Sequence, residues 1–118
     1  MAADPVVPTP ELHLDAEKTE TGTLFRCRGR ITSSTTSLLR DTVRGVIAQN
    51  RDVVLDLSDV NYMDSSGLGA LVGLWTSAKR AGRELKLISL SQRVKELLHL
   101  TSLDKVLAVS RFPDTPSF

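Results

Sequence analysis

Asp64-Ser65-Ser66-Gly67-Leu68-Gly69 follows directly on the apolar run Val53-Val54-Leu55-Asp56-Leu57 and the polar residues after it. A hydroxyl pair behind a carboxylate, at the start of an apolar pattern with helical spacing, belongs to a strand-to-helix turn. Such a turn sits on the positive end of a helix, where free N–H groups favour negative charge. A phosphate on one of the two serines is therefore the chemistry this spacing admits. The simpler alternative is structural. Asp and Ser are favoured helix N-caps, so Asp64 or Ser65 could serve only to satisfy the first amides.

Other chemistry has weaker support. Gly67-Leu68-Gly69 lacks the third glycine and the Lys-Ser/Thr ending of a phosphate cradle, so the chain carries no nucleotide-binding signature. His13 and His99 have no metal-ligand spacing. Ser65 does not stand in a Gly-x-Ser-x-Gly elbow, which argues against a serine nucleophile, and the chain is read as no enzyme. Cys27 is alone among Leu24, Phe25 and Ile31, so it is expected in the core rather than in a disulfide or metal site.

The elements around the turn can be read from period and punctuation. Leu12, Leu14 and Ala16 alternate with polar residues. After a turn at Thr19–Gly22, Phe25 and Cys27 alternate against Leu24, Arg26 and Arg28, which predicts a hairpin. The hydroxyls of Thr32, Ser33 and Ser34 follow Gly29 and can cap a helix over 35–49, whose inward face is Leu39, Val43, Val46 and Ile47. Asp52–Leu57 is apolar at nearly every position and is expected to be a central strand covered on both faces. Ser66–Arg80 reads as a helix ended by Ala81-Gly82. A strand over 84–89, a short helix capped by Ser91 and a last strand over 105–109 complete the chain.

The order β-β-α-β-α-β-α-β predicts an α/β fold. It would be a small mixed sheet of about five strands, parallel in its centre and flanked by helices. One domain over residues 11–110 is expected, with 1–10 and 111–118 as flexible termini. The 118 residues, 41% apolar and 25% charged, fit an ordinary globular domain. A net charge of +1 gives no case for nucleic acid. No apolar run approaches a membrane span, and no signal peptide is visible, so no membrane partner and a cytoplasmic location are expected.

On the helix after the serines, Leu68, Leu71, Val72, Trp75 and Ala78 form one face. The opposite face carries Ser66, Gly69, Ala70, Gly73, Ser77 and Arg80. Glycine in a helix interior costs about 1 kcal/mol relative to alanine. Gly69 and Gly73 therefore indicate close approach to the backbone, either by a partner or by packing inside the domain. Arg93, Lys95 and Glu96 read as a solvated face.

Val54-Leu55-Asp56-Leu57-Ser58-Asp59-Val60 and Tyr62-Met63-Asp64-Ser65-Ser66-Gly67-Leu68-Gly69 resemble the signature of the STAS domain of bacterial anti-sigma factor antagonists. The resemblance continues through Ala78-Lys79-Arg80-Ala81-Gly82 and Val94-Lys95-Glu96-Leu97-Leu98 and spans roughly 12–109. It implies the family's small sheet flanked by helices, and a partner-switching function in transcription regulation. By resemblance, Ser65 is the phosphorylated serine. The unphosphorylated form binds an anti-sigma factor that is also a GHKL-type serine kinase, and a PP2C-type phosphatase restores it. Asp64, Ser66, Gly67, Gly69, Gly73, Thr32 and Ser33 would form the partner-binding surface. ATP would belong to the kinase, so no cofactor is expected. Phosphoserine would meet the free amides of the helix, while Asp64 beside it repels. The sequence departs from the family at Thr32, where members often carry an aspartate. The alternative is a STAS interaction or scaffold module that is never phosphorylated, in another signalling or transport-regulation system. The sequence leaves the oligomeric state unknown.

Overall fold

Alternation and turn chemistry produce the hairpin that the sequence predicts. The computed structural model of the chain describes residues 11–110. The segments expected to be flexible, 1–10 and 111–118, lie outside the described residues. β1 (Leu12–Lys18) pairs antiparallel with β2 (Gly22–Ile31), with Leu14 opposite Cys27 and Asp15 opposite Arg26. The Thr19 amide donates to the Gly22 carbonyl at 2.8 Å, and the Gly22 amide to the Thr19 hydroxyl at 3.0 Å, which closes the turn.

The chain then winds through α1 (Thr36–Ala48), β3 (Asp52–Met63), α2 (Ser65–Arg80), β4 (Leu85–Ile88) and α3 (Gln92–Leu100). A single 3-10 turn, Leu103–Lys105, leads to β5 (Ala108–Ser110). Four strands of four residues or more thus carry a three-residue edge strand. The sheet order is β1-β2-β3-β4-β5, and every pair after the first is parallel. Parallel strands joined by helices put their carboxyl ends, and the loops that leave them, at one edge of the sheet.

Phe25, Val53, Leu55 and Leu57 of the sheet join Leu39 and Val43 of α1, Leu71 and Leu74 of α2 and Val94 and Leu98 of α3 in one buried cluster. The expectation that β3 is covered on both faces is not met. Val53, Leu55 and Leu57 are fully buried, whereas Val54 and Asp56 between them are only half-buried. The helices cover one face. The other face presents Leu24, Arg26, Arg28, Val54 and Asp56, with Arg26 2.8 Å from Glu17 and Arg28 3.7 Å from Asp15 across the hairpin.

Two element boundaries and one helix face also differ. β3 runs on to Met63 because its polar residues find backbone partners. They pair with Arg28–Ile31 of β2 across two register shifts, the second at Gly29. Gly29 has φ +118°, and a Cβ there would lie 2.2 Å from the Glu11 carbonyl oxygen, so only glycine fits. The last strand starts three residues later than expected, since Ser102 takes a left-handed conformation (φ 60°) and opens the 3-10 turn instead. The buried face of α2 is rotated from the expected one. Gly67, Ala70, Leu71, Leu74 and Ala78 point inward, whereas Val72 is half-buried and Trp75 packs at the core margin under Lys79, 5.3 Å away. Ala70 was expected on the open face and is buried. None of the described helices is long and apolar enough to cross a membrane.

Candidate functional site

The carboxyl ends of β2 and β3 lie side by side, with Ile31 opposite Met63. The Asp64 amide continues the pairing by donating to the Ile31 carbonyl at 3.3 Å. Beyond this bond the two chains turn into α1 and α2. The loop residues Thr32–Ser34 and the turn Asp64–Ser66, far apart in sequence, thus meet at one end of the sheet.

Asp64 is the cap of α2. Its backbone is extended (φ −115°, ψ −170°), and its Oδ1 accepts from the amides of Ser66 at 2.9 Å and Gly67 at 3.2 Å. The Leu68 amide donates to its carbonyl at 3.1 Å. The structural role that the sequence left open between Asp64 and Ser65 therefore falls to Asp64. Ser65 is left as the first helical residue, exposed, and among the described residues its hydroxyl has no hydrogen-bond partner. The expectation that a phosphate here would meet free amides needs correction. Those of Ser66 and Gly67 are already held by a carboxylate.

The three glycines of α2 divide in two. Gly67 is buried, and a Cβ on it would lie 2.7 Å from both the Ile31 carbonyl oxygen and Met63 Cγ. Its missing side chain is what lets α2 rest on the ends of β2 and β3. Gly69 and Gly73 face open space, with nothing within 4 Å of the position of a Cβ. Packing inside the domain does not account for them. With the half-buried Ser66 and Ser77 they make a smooth strip that leads away from Ser65.

Thr32 is almost fully buried and engaged locally. Its amide donates to the Thr35 hydroxyl at 2.9 Å, and its carbonyl accepts from the Thr35 and Thr36 amides at 3.0 Å. Its hydroxyl lies 3.1 Å from that of Ser34 and accepts from the Ser34 amide at 3.3 Å. Thr35 occupies the N-cap of α1 but makes no capping bond, because its hydroxyl is directed back to the Arg30 carbonyl at 2.9 Å. Ser33 is exposed and offers its carbonyl to the Thr36 hydroxyl at 3.5 Å. The Ser34 hydroxyl reaches Glu11 at 3.5 Å. Thr32 thus shapes the loop, while Ser33 presents itself to solvent.

A residue group that sequence reasoning missed borders this turn. Arg30 and Tyr62 are paired in register, and the Arg30 guanidinium lies 4.5 Å from the Tyr62 ring centre. Arg93, from the first turn of α3, lies 5.4 Å from the same ring and donates to the Met63 carbonyl at 3.5 Å. Arg93 is exposed, as its solvated face predicts, and its guanidinium also reaches the rim of the site. Strand alternation gives the outward direction of Arg30 and Tyr62. Only the topology gives the approach of α3, whose cap residue Ser91 donates to the Val60 carbonyl at 2.7 Å and fixes the helix start against β3.

No histidine contacts the turn among the described interactions. His13 is exposed on β1, and His99 pairs with Asp104 at 3.7 Å beyond the far end of α3. Cys27 is buried, and its burial pushes the thiol up to about 12, with Asp56 adding to the effect. It is an inert core residue at neutral pH.

A strand-turn-helix carrying Asp-Ser-Ser-Gly, set beside the end of a parallel neighbour, matches a known pattern. The family model of the STAS domain matches residues 13–115. This chain belongs to the STAS domain family. The STAS chain is 32% identical over 99 residues to the anti-sigma-B factor antagonist of Bacillus subtilis strain 168, covering 84% of this chain and 91% of that one. Its fold matches an anti-sigma factor antagonist from Mycobacterium paratuberculosis with TM-score 0.76, at 22% identity over 87% of this chain and 89% of the other. It also matches the anti-sigma factor antagonist SpoIIAA in its unphosphorylated form, with TM-score 0.73 and 17% identity over 86% and 90% of the two chains. The Bacillus cell fate determinant SpoIIAA in its phosphorylated form matches with TM-score 0.69 and 16% identity over 86% and 93% of the two chains.

Proposed function

We propose that this STAS protein is an anti-sigma factor antagonist that works by partner switching, with Ser65 as the phosphorylated residue. Unphosphorylated, it binds an anti-sigma factor that is also a GHKL-type serine kinase, and a sigma factor is released. The kinase transfers the γ-phosphoryl group of ATP to Ser65 Oγ, which gives up its proton to the kinase. A PP2C-type phosphatase then hydrolyses the ester. The protein acts in the cytoplasm as a binding partner and not as an enzyme.

The observation that carries this reading is the state of Ser65. Its hydroxyl is exposed and unpartnered on a turn that Asp64 alone already caps. The cap therefore does not need Ser65, and a kinase can reach it. Phosphorylation adds about −1.5 to −2 charges. The helix stays capped by Asp64, so the domain need not unfold. A partner seated on the turn, on Ser33 and along Ser66, Gly69 and Gly73 would instead have to desolvate a dianion, which is strongly unfavourable without a paired cation.

A second reading is favoured by Thr32. The family's aspartate is absent there, and the threonine hydroxyl is used inside its own loop. The domain would then be an unphosphorylated interaction module that uses the same surface.

Incubation with the cognate kinase and ATP, followed by peptide mass spectrometry, separates the two. Phosphate on Ser65 is expected. Phosphate on Ser66 or Thr32 only, or on no residue, would refute the assignment. Ser65→Asp is expected to lose kinase binding and Ser65→Ala to retain it. Equal binding by both would end the switch model.

A further inference from the structure

The surroundings of Ser65 leave its phosphate short of partners on its own helix. In an unoccupied first turn, the amides would accept an anion. Here Asp64 Oδ1 holds those of Ser66 and Gly67. Apart from Asp64 itself, the charged side chains that border the turn and its neighbouring loop come from other elements. They are Arg93 of α3, Arg30 of β2, and Glu11 before β1, which sits on the Ser34 side of the neighbouring loop.

Arg93 is placed to answer that shortage. Its guanidinium, on an exposed side chain, lies 5.4 Å from the Tyr62 ring centre, which draws it toward the end of β3. Its bond to the Met63 carbonyl is long, 3.5 Å, and that carbonyl is two residues from Ser65. A bond this weak is readily exchanged for one to a phosphate. A guanidinium also binds phosphate in a planar, two-pronged geometry that exceeds a single neutral hydrogen bond in strength. Arg30, over the same ring, adds a second positive charge.

We propose that Arg93 receives the Ser65 phosphate, with Arg30 supporting it, so that the modified state is held against the domain by α3. The proposal rests on Ser65 being the modified residue. Within that reading, Arg93 is a phosphate-binding residue of the modified state.

Phosphoserine installed at position 65 by genetic encoding tests this without a kinase. The second ionisation of the phosphate is followed by 31P NMR titration. A unit charge at about 5 Å shifts such an ionisation by about half a pH unit even with the full screening of water, and by more near a protein surface. Arg93→Ala is expected to raise the phosphate pKa by that amount. Arg93→Lys is expected to restore part of the shift. Lys95→Ala removes the same net charge from the exposed side of α3 and is expected to leave the titration unchanged. Identical titrations for Arg93→Ala and Lys95→Ala would overturn the proposal, whether both move or neither does. The kinase assay on the natural serine remains separate. Phosphorylation of Ser65 without any Arg93 effect removes only this inference. An Arg93 effect on encoded phosphoserine, with no phosphorylation of Ser65 by the kinase, removes only the switch.

Discussion

Three glycines on one helix make opposite predictions. Gly69→Ala and Gly73→Ala each add a methyl group that meets nothing within 4 Å. Each removes the entropic and solvation penalty of glycine in a helix interior, about 0.8–1.0 kcal/mol. The two positions stand one turn apart, but neither methyl meets a shared partner, so the two gains sum to about 2 kcal/mol. For a domain of this size, a gain of 1 kcal/mol raises Tm by about 4 °C, so the double variant should melt about 8 °C higher. Gly67→Ala goes the other way. Its methyl would lie 2.7 Å from the Ile31 carbonyl oxygen, and that carbonyl is fixed by its bond to the Asp64 amide. Forced overpacking of this kind costs about 1–3 kcal/mol, and the helix must shift off the strand ends. Urea melts at constant slope, together with thermal melts, measure all three. A loss of stability in Gly69→Ala or Gly73→Ala, or a gain in Gly67→Ala, would refute the division of roles. The same double variant tests function. If the smooth strip docks a partner, the stabler protein binds its kinase more weakly; unchanged binding would move the docking surface elsewhere.

Two further outcomes follow from named contacts. Asp64→Ala removes the acceptor of two amides and is expected to lower stability by about 1 kcal/mol, with Asp64→Asn close to wild type in the same melts. Burial raises the Cys27 thiol from 9.0 to about 12, so the folded state binds a proton that the unfolded state has released between these values. The stability from this group is therefore full below pH 9 and is lost as pH climbs toward 12. Cys27→Val should flatten that part of the pH–stability curve, measured by urea melts at pH 8 and 10.5; a curve parallel to wild type would contradict it.

Much of this architecture is legible because local chemistry and tertiary demand agree. The hairpin follows from alternation around Thr19–Gly22, and α2 begins and ends where Asp64 and Gly82 punctuate it. Where the two diverge, sequence reasoning falters. The apolar run Val53–Leu57 looks buried on both sides, but apolar residues such as Val54 are tolerated on an open sheet face. Ser58, Asp59 and Asn61 look like loop because nothing local shows that β2 extends alongside them. At the site, the turn and Ser65 are visible in the sequence, whereas the part played by Thr32 depends on hydrogen bonds within a buried loop. Arg93 is invisible there, since its neighbour Tyr62 is thirty-one residues away and reached only through the packing of α3 on β3.

The bond between the Arg30 amide and the Glu11 carbonyl, 2.8 Å long, has a practical consequence. It ties the start of the described chain to the strand end that leads to Thr32, and Glu11 itself reaches the Ser34 hydroxyl. Glu11 therefore stands at the rim of the proposed docking surface, and a bulky label on residue 11 itself would sit beside Ser34 and compete with a partner for the same space. β5 lies at the opposite edge of the sheet from β1, away from this bond. The choice of residue for labelling thus follows from one hydrogen bond.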